Sequence, residues 1–88
     1  MKFVKKAVPV EAMQYTLYNN MERMVKFGRG GILRLRVPGG FGIFCNTHHG
    51  QIQLTMDDWA IRGHDGEVYP CKPDVFERTY ERFDEDED

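Results

Sequence analysis

The chain has 88 residues, of which 41% are hydrophobic and 30% charged, and its formal net charge is -2. A chain of this length forms one domain with a modest core, so a deep, multi-part active site is not expected. No apolar run approaches the roughly 20 residues that a membrane-spanning helix requires, and Pro9 and Glu11 interrupt any signal-peptide core after the basic N-terminus. We therefore expect a cytoplasmic protein without membrane contact, with one globular domain over residues 1-83.

Charge is distributed unevenly along the chain. Residues 1-50 contain eight basic residues (Lys and Arg) and two acidic residues. Residues 51-88 contain four basic and twelve acidic residues. The last five residues, 84-88, are all acidic, which is typical of a disordered, solvated tail. Without this tail the remaining chain is mildly basic, which is compatible with an anionic ligand or partner.

The first third of the chain predicts a strand followed by a helix. Residues 7-15 favour β structure but include Pro9, which cannot donate to a ladder, so we expect an edge strand or the start of one. Asn19 and Glu22 have the spacing of a capping box, and apolar residues follow at helical spacing until a glycine ends the pattern. The prediction is a short amphipathic helix over about residues 19-27.

From residue 32 the hydrophobic period changes to two, which is typical of strands. Arg34 and Arg36 project from one face and alternate with apolar residues, and a Pro-Gly-Gly turn joins this strand to a hairpin partner at 41-45. The next strand, 51-56, alternates as regularly. The side chains expected to point inward from it are Ile52, Leu54 and Met56.

A second hairpin is predicted from 59-62 and 67-69, joined by a Gly-His-Asp-Gly turn. Pro70 then interrupts the ladder, Pro73 starts a helical turn, and 79-83 has the pattern of a last short strand. About six short strands with one helix predict an α+β domain. We expect a small, strongly twisted antiparallel sheet or half-open barrel, with the helix covering one opening.

Metal and thiol chemistry are weakly indicated. The residues considered as metal ligands are Cys45, His48, His49, His64 and Cys71. Only the Cys-x-x-His half of this set matches the local ligand pairs of structural zinc, so we expect no metal site and a solvated histidine loop. The two cysteines are expected to be reduced and buried, with a disulfide as the minor alternative.

No catalytic set is recognisable in the sequence. Cys71 lies beside Lys72, but the pattern offers no base that would activate a thiolate. The serine-hydrolase elbow, the zinc-protease motif and a phosphate-binding loop are all missing from the sequence. We predict a protein that is not an enzyme and uses no cofactor.

Two groups of side chains are candidates for binding. Arg34 and Arg36 share a strand face and could extend a basic stripe for nucleic acid, although exposed strands often carry charge for solubility. The second group combines aromatic and cationic residues of the types enriched in interface hot spots. It comprises Trp59, Arg62, Tyr69 and Lys72.

Structural roles compete with binding for some of these residues. Trp59 is more often a core residue than a ligand platform, and we expect both it and Phe76 to be largely buried. Arg62 is expected to pair with a nearby carboxylate, Glu67 or Asp74, with anion binding as the less favoured alternative.

One long segment also carries a family resemblance. Asp58 to Gly63 reads Asp-Trp-Ala-Ile-Arg-Gly, and Gly66 to Glu81 reads Gly-Glu-Val-Tyr-Pro-Cys-Lys-Pro-Asp-Val-Phe-Glu-Arg-Thr-Tyr-Glu. Together with the opening Val-Pro-Val-Glu-Ala, this pattern resembles a family of small phage and prophage proteins of unassigned activity. The chain departs from that pattern at Met56 and Asp57, where the family's Pro-Gly-Asp turn has proline and glycine, so only Asp58 of the turn is shared.

The resemblance implies a context rather than a reaction. It suggests a phage accessory protein in the host bacterial cytoplasm, most simply a binding module that modulates a host protein in host takeover or anti-defence. The alternatives are a protein that sequesters a small molecule or nucleotide, and a nucleic-acid-associated protein, although nucleic acid is not the expected partner. A homodimer is compatible with the sequence.

Overall fold

The computed structural model describes residues 1-3 and 8-82. This part of the chain forms six strands and two helices. In chain order they are β1 (Glu11–Gln14), α1 (Met21–Gly28), β2 (Ile32–Val37), β3 (Gly40–Thr47), β4 (Gly50–Leu54), β5 (Trp59–Arg62), β6 (Val68–Cys71) and α2 (Pro73–Thr79). Neither helix is long and apolar enough to cross a membrane. The acidic tail predicted at 84-88 lies outside the described residues.

The strands form two antiparallel three-stranded sheets, β1-β5-β6 and β2-β3-β4. The α+β class is confirmed, but the expected single sheet or half-open barrel is wrong, as is the expectation of only one helix. The strands do not close into a barrel, and the chain passes from one sheet to the other in the turn between Leu54 and Trp59. The two sheets instead contact each other through β3, β4 and β6.

The core lies between the two sheets and α1. Its fully buried members are Met24, Ile32, Ile43, Cys45, Leu54, Ala60 and Val68. Burial of each large apolar side chain contributes roughly 1.5-3 kcal/mol to folding. The core therefore joins residues from both sheets into one unit.

Helix α1 begins later than predicted. Its N-cap is Asn20, whose side chain accepts a hydrogen bond from Arg23 N at 3.2 Å. Asn19, the cap predicted from the capping-box spacing, instead donates from its side chain to the Gln14 carbonyl at 3.2 Å. At the other end, a Cβ on Gly28 would lie 2.6 Å from Ile32 Cγ1, so glycine allows the helix to approach β2 closely.

Both predicted hairpins are present, and β1 is an edge strand as expected. The inward pattern of β4 is only partly right, because Leu54 is buried whereas Ile52 is 43% and Met56 49% exposed. Ile52 lies on an edge strand, and Met56 lies in the turn beyond its end, so neither reaches the core.

The segment after β5 differs most from the prediction. Pro70 lies within β6, opposite Ala60, which is tolerated because β6 is an edge strand and forms a ladder on one side only. Pro73 starts a full helix rather than one turn. The strand predicted at 79-83 is wrong for its described residues, because Thr79 ends α2 and the next three residues pair with no strand.

Candidate functional site

The predicted aromatic and cationic set is divided between the two faces of the β1-β5-β6 sheet. Trp59 and Tyr69 project from the outer face, because Tyr69 lies opposite Ile61 and Trp59 is two residues from Ile61. Arg62 has the opposite parity and projects toward the core side. The structure therefore does not unite these side chains in one surface.

Trp59 is the platform on which α2 packs. Its ring stacks on Phe76 with centroids 3.9 Å apart and an interplanar angle of 5°. Phe76 in turn stacks on Tyr80, 5.2 Å away, and Ile61 on the same sheet face is fully buried. Trp59 and Phe76 are themselves half-buried, so the expectation that both are largely buried is met only in part.

Tyr69 belongs to the same outer-face cluster. Its hydroxyl lies 3.4 Å from the Tyr80 hydroxyl. This hydrogen bond, with burial as the second cause, raises the pKa of Tyr69 to about 12. The phenol therefore stays protonated to more alkaline pH than an ordinary tyrosine, and its hydroxyl links β6 to the residue that follows α2.

Arg62 makes contacts within the fold, and its side chain is only 10% exposed. The guanidinium donates to the Phe27 carbonyl and to the Glu11 carboxylate, and it lies 4.5 Å from the Phe27 ring centroid. The prediction that Arg62 pairs with Glu67 or Asp74 is therefore wrong. The β1-β5 register places Glu11 directly opposite Arg62.

Glu67 and Asp74, the two carboxylates predicted to pair with Arg62, contact other groups. Glu67 lies 3.7 Å from His48, and Asp74 pairs with Arg78 at 3.9 Å. Arg62 therefore joins β1, β5 and the end of α1, and neither Glu67 nor Asp74 takes part in these contacts.

Lys72 contacts a buried carboxylate that the sequence analysis did not single out. Asp58 is 3% exposed and lies 3.2 Å from Lys72 Nζ. It also accepts from Thr55 N at 2.9 Å and from Thr55 Oγ1 at 3.0 Å. The Thr-x-x-Asp spacing across a turn is the signal that could have identified this site.

The cysteines are free thiols in environments that oppose ionisation. Cys45 is fully buried, and burial, assisted by the charge of Asp58, raises its pKa to about 12. Burial also raises the pKa of Cys71, with Asp74 and Asp58 as further causes. Nucleophilic catalysis requires the opposite shift, so neither thiol is activated.

The histidines are dispersed around the molecule. Across residues 1-3 and 8-82, no three His, Cys, Asp or Glu side chains are placed to hold a metal ion. His48 and His49 lie in the exposed turn between β3 and β4. The nearest acidic contact of this turn is the pairing of His48 with Glu67 at 3.7 Å.

Arg34 and Arg36 are the predicted candidates that the structure does bring together. Their guanidinium carbons lie 4.4 Å and 5.6 Å from the ring centroid of Phe41, which is 45% exposed. Register explains the convergence, since Phe41 lies directly opposite Arg36 and diagonal to Arg34. We call Arg34, Arg36 and Phe41 the arginine surface.

The charges of the arginine surface are not neutralised within the described part of the chain. Neither guanidinium lies within 4.0 Å of a carboxylate there. By contrast, Arg62, Lys72 and Arg78 each contact one.

A shallow depression of about 400 Å³ adjoins Arg34. It is bordered by the segment before α1, by the first turn of α1 and by Met56. Leu17 at its rim is 86% exposed and Met56 is 49% exposed. The cationic groups therefore have apolar neighbours that a partner could cover.

In comparisons with known proteins, no protein-family profile, curated protein or solved structure matches the chain.

Proposed function

We propose that this protein is a non-enzymatic binding module that engages a protein partner through the arginine surface. The supporting observation is that Arg34 and Arg36 share one exposed ring, Phe41, and have no carboxylate partner in the described part of the chain. On the resemblance to phage proteins, we place this module in the bacterial cytoplasm, where it modulates a host protein.

The chemistry of the arginine surface supports this function. Arginine and aromatic residues are enriched in the energetically dominant part of protein interfaces. Stacking on Phe41 restrains both guanidinium groups before binding, which lowers the entropy lost when a partner orders them. Leu17 and Met56 nearby add apolar area. The partner should therefore present carboxylates beside an apolar patch.

The other predicted candidates support the fold rather than this contact. Trp59 and Tyr69 hold α2, Arg62 ties β1 to α1, and Lys72 binds Asp58. Their substitution is expected to lower stability and only indirectly to lower binding.

The test is affinity capture from bacterial lysate with a charge-matched control. The test variant is R34Q/R36Q, and the control is R23Q/R78Q, which removes the same charge from exposed helical positions. We expect one stoichiometric protein to be retained by the wild type and the control and lost by the test variant. Binding of the purified partner, measured by calorimetry, should weaken at least about tenfold in the test variant only.

Other outcomes overturn the proposal. Equal retention by both double variants would remove the arginine surface from the interaction. Recovery of nuclease-sensitive DNA or RNA instead of a protein, with release by salt, would favour the nucleic-acid alternative. A nucleotide in denatured extracts, with no protein partner, would favour sequestration.

A further inference from the structure

We infer that the partner contributes an extended segment that adds as an antiparallel strand to the free edge of β2. Its acidic residues would lie on the side of Arg34 and Arg36, and its alternate residues would be apolar. This inference rests on the proposed function and specifies the kind of partner.

The first argument is the open edge of β2. Among the described strands, β2 pairs only with β3. Asn46 N donates to the Gly31 carbonyl at 2.9 Å, and these two residues are the next opposite pair after Ile32 and Cys45. In an antiparallel ladder every second pair is hydrogen-bonded, so it is the odd-numbered residues of β2 that exchange backbone hydrogen bonds with β3. The N–H and C=O groups of Arg34 and Arg36 consequently point away from β3.

These outward groups are available for pairing. No backbone or side-chain acceptor in the described part of the chain bonds to the N–H of Arg34 or Arg36. The edge also has no interior proline, since Pro38 follows the strand. A six-residue strand of this kind is long enough to template another strand.

The second argument is the different chemistry of the two faces. Arg34 and Arg36 are exposed on one face, and the other face carries a half-buried apolar row. That row consists of Leu33, Leu35 and Val37. Side chains directly opposite each other on neighbouring strands point to the same face, so the best added strand alternates acidic and apolar residues.

The same geometry disfavours a second copy of this chain as the occupant. In a two-fold antiparallel pairing of β2 with itself, residues on one face lie opposite residues of the same face. In the registers that overlap most of the strand, Arg34 would then lie opposite Arg34 or Arg36 of the other copy, and such like-charge pairs are destabilising. Charge complementarity therefore selects an acidic partner segment.

The probe is the capped peptide Gly-Val-Glu-Val-Asp-Val-Glu-Gly, titrated into isotope-labelled full-length protein and followed by nuclear magnetic resonance. We expect amide exchange at Arg34 and Arg36 to slow at least about tenfold at saturation. Leu33 and Leu35, whose amides already bond to β3, are the internal controls and should change little.

Backbone methylation of the peptide provides the decisive comparison. In the inferred pairing, the amides of the acidic residues bond to β2 and those of the valines point away. N-methylation of the acidic residues should weaken binding at least about tenfold, and N-methylation of the valines should weaken it much less. R34Q/R36Q should also weaken binding, whereas R23Q/R78Q should not.

The outcomes separate this inference from the proposed function. Failure of the peptide to bind at millimolar concentration, or binding without protection of the Arg34 and Arg36 amides, overturns strand addition. In either case, selective loss of the captured partner by R34Q/R36Q would still support the binding module. Equal capture by both double variants would overturn both.

Discussion

Asp58, buried in the turn before β5, accepts a hydrogen bond from Lys72 at 3.2 Å, and Lys72 is the residue that precedes α2. This contact joins two points of the chain 14 residues apart. Since Thr55 also donates twice to the same carboxylate, the buried charge is fully paired. The turn, the start of β5 and the start of α2 are thus held by one side chain.

Removal of this carboxylate should destabilise the fold. We expect Asp58→Ala to lower the free energy of unfolding by about 3 kcal/mol, because the amide and hydroxyl of Thr55 lose their acceptor. Lys72→Gln should cost about 1 kcal/mol or less, because the lysine side chain is 64% exposed. Urea denaturation of both variants provides the measurement. Equal costs would show that the ion pair, rather than the turn, carries the stability.

The docking of α2 should depend on its aromatic face. Phe76→Ala removes the ring stacked on Trp59 and should cost about 2-4 kcal/mol. The matched control is Val75→Ala on the same helix, which should change stability by less than about 0.5 kcal/mol because Val75 is 41% exposed. Near-UV circular dichroism of Trp59 should change only in the first variant. A neutral Phe76→Ala would mean that α2 does not need this stack.

The turn before β5 contains a strained aspartate. Asp57 has φ of +75°, a conformation that favours glycine, and its side chain makes no hydrogen bond within the described part of the chain. We expect Asp57→Gly to raise the free energy of unfolding by about 0.5 kcal/mol, since relief of strain exceeds the entropy cost of glycine. Asp57→Val should lower it by about 1 kcal/mol or more. Thermal melts that rank the valine variant above wild type would contradict the backbone geometry.

Alkaline pH should weaken the fold through Cys45. The pKa of this thiol rises from its ordinary value of 9.0 to about 12 in the folded state. The stability that the protonated thiol contributes to the folded state is therefore fully present below pH 9.0. This stability is lost as the pH rises toward about 12. Over that interval, each pH unit should remove up to about 1.4 kcal/mol per proton.

The measurement is a series of urea denaturation curves between pH 8 and 11. Cys45→Ala should be less stable at neutral pH because it leaves a cavity, but its stability should fall less steeply with pH. Tyr69, whose pKa is also raised to about 12, should account for part of the remaining slope. Parallel curves for wild type and variant would exclude the thiol as the cause.

Local patterns in the sequence are sufficient to predict several elements. Period-two hydrophobicity with glycine turns identifies both hairpins, and β1 is an edge strand as predicted, although Pro9 itself precedes the strand. The alternation of Arg34 and Arg36 also predicts their shared face, which is the part of the candidate site that sequence reasoning located.

Features that depend on distant contacts were not predictable in this way. The partner of Arg62 is Glu11, 51 residues away, and only the β1-β5 register brings them together. Likewise, Phe76 lies on α2 and Tyr80 directly follows the helix, but the contact between their rings could not be read from this spacing without the surface that Trp59 provides. The exposure of Ile52 follows from its place on an edge strand, which alternation does not reveal.

The assignment of strands to sheets has a kinetic consequence. The sheet β2-β3-β4 is a meander of neighbouring strands, whereas β1 must find β5 across a large part of the chain. Short loops close at lower entropic cost than long ones, so the meander should form first and β1 should join late. Substitutions in β1 would then accelerate unfolding while leaving the refolding rate nearly unchanged.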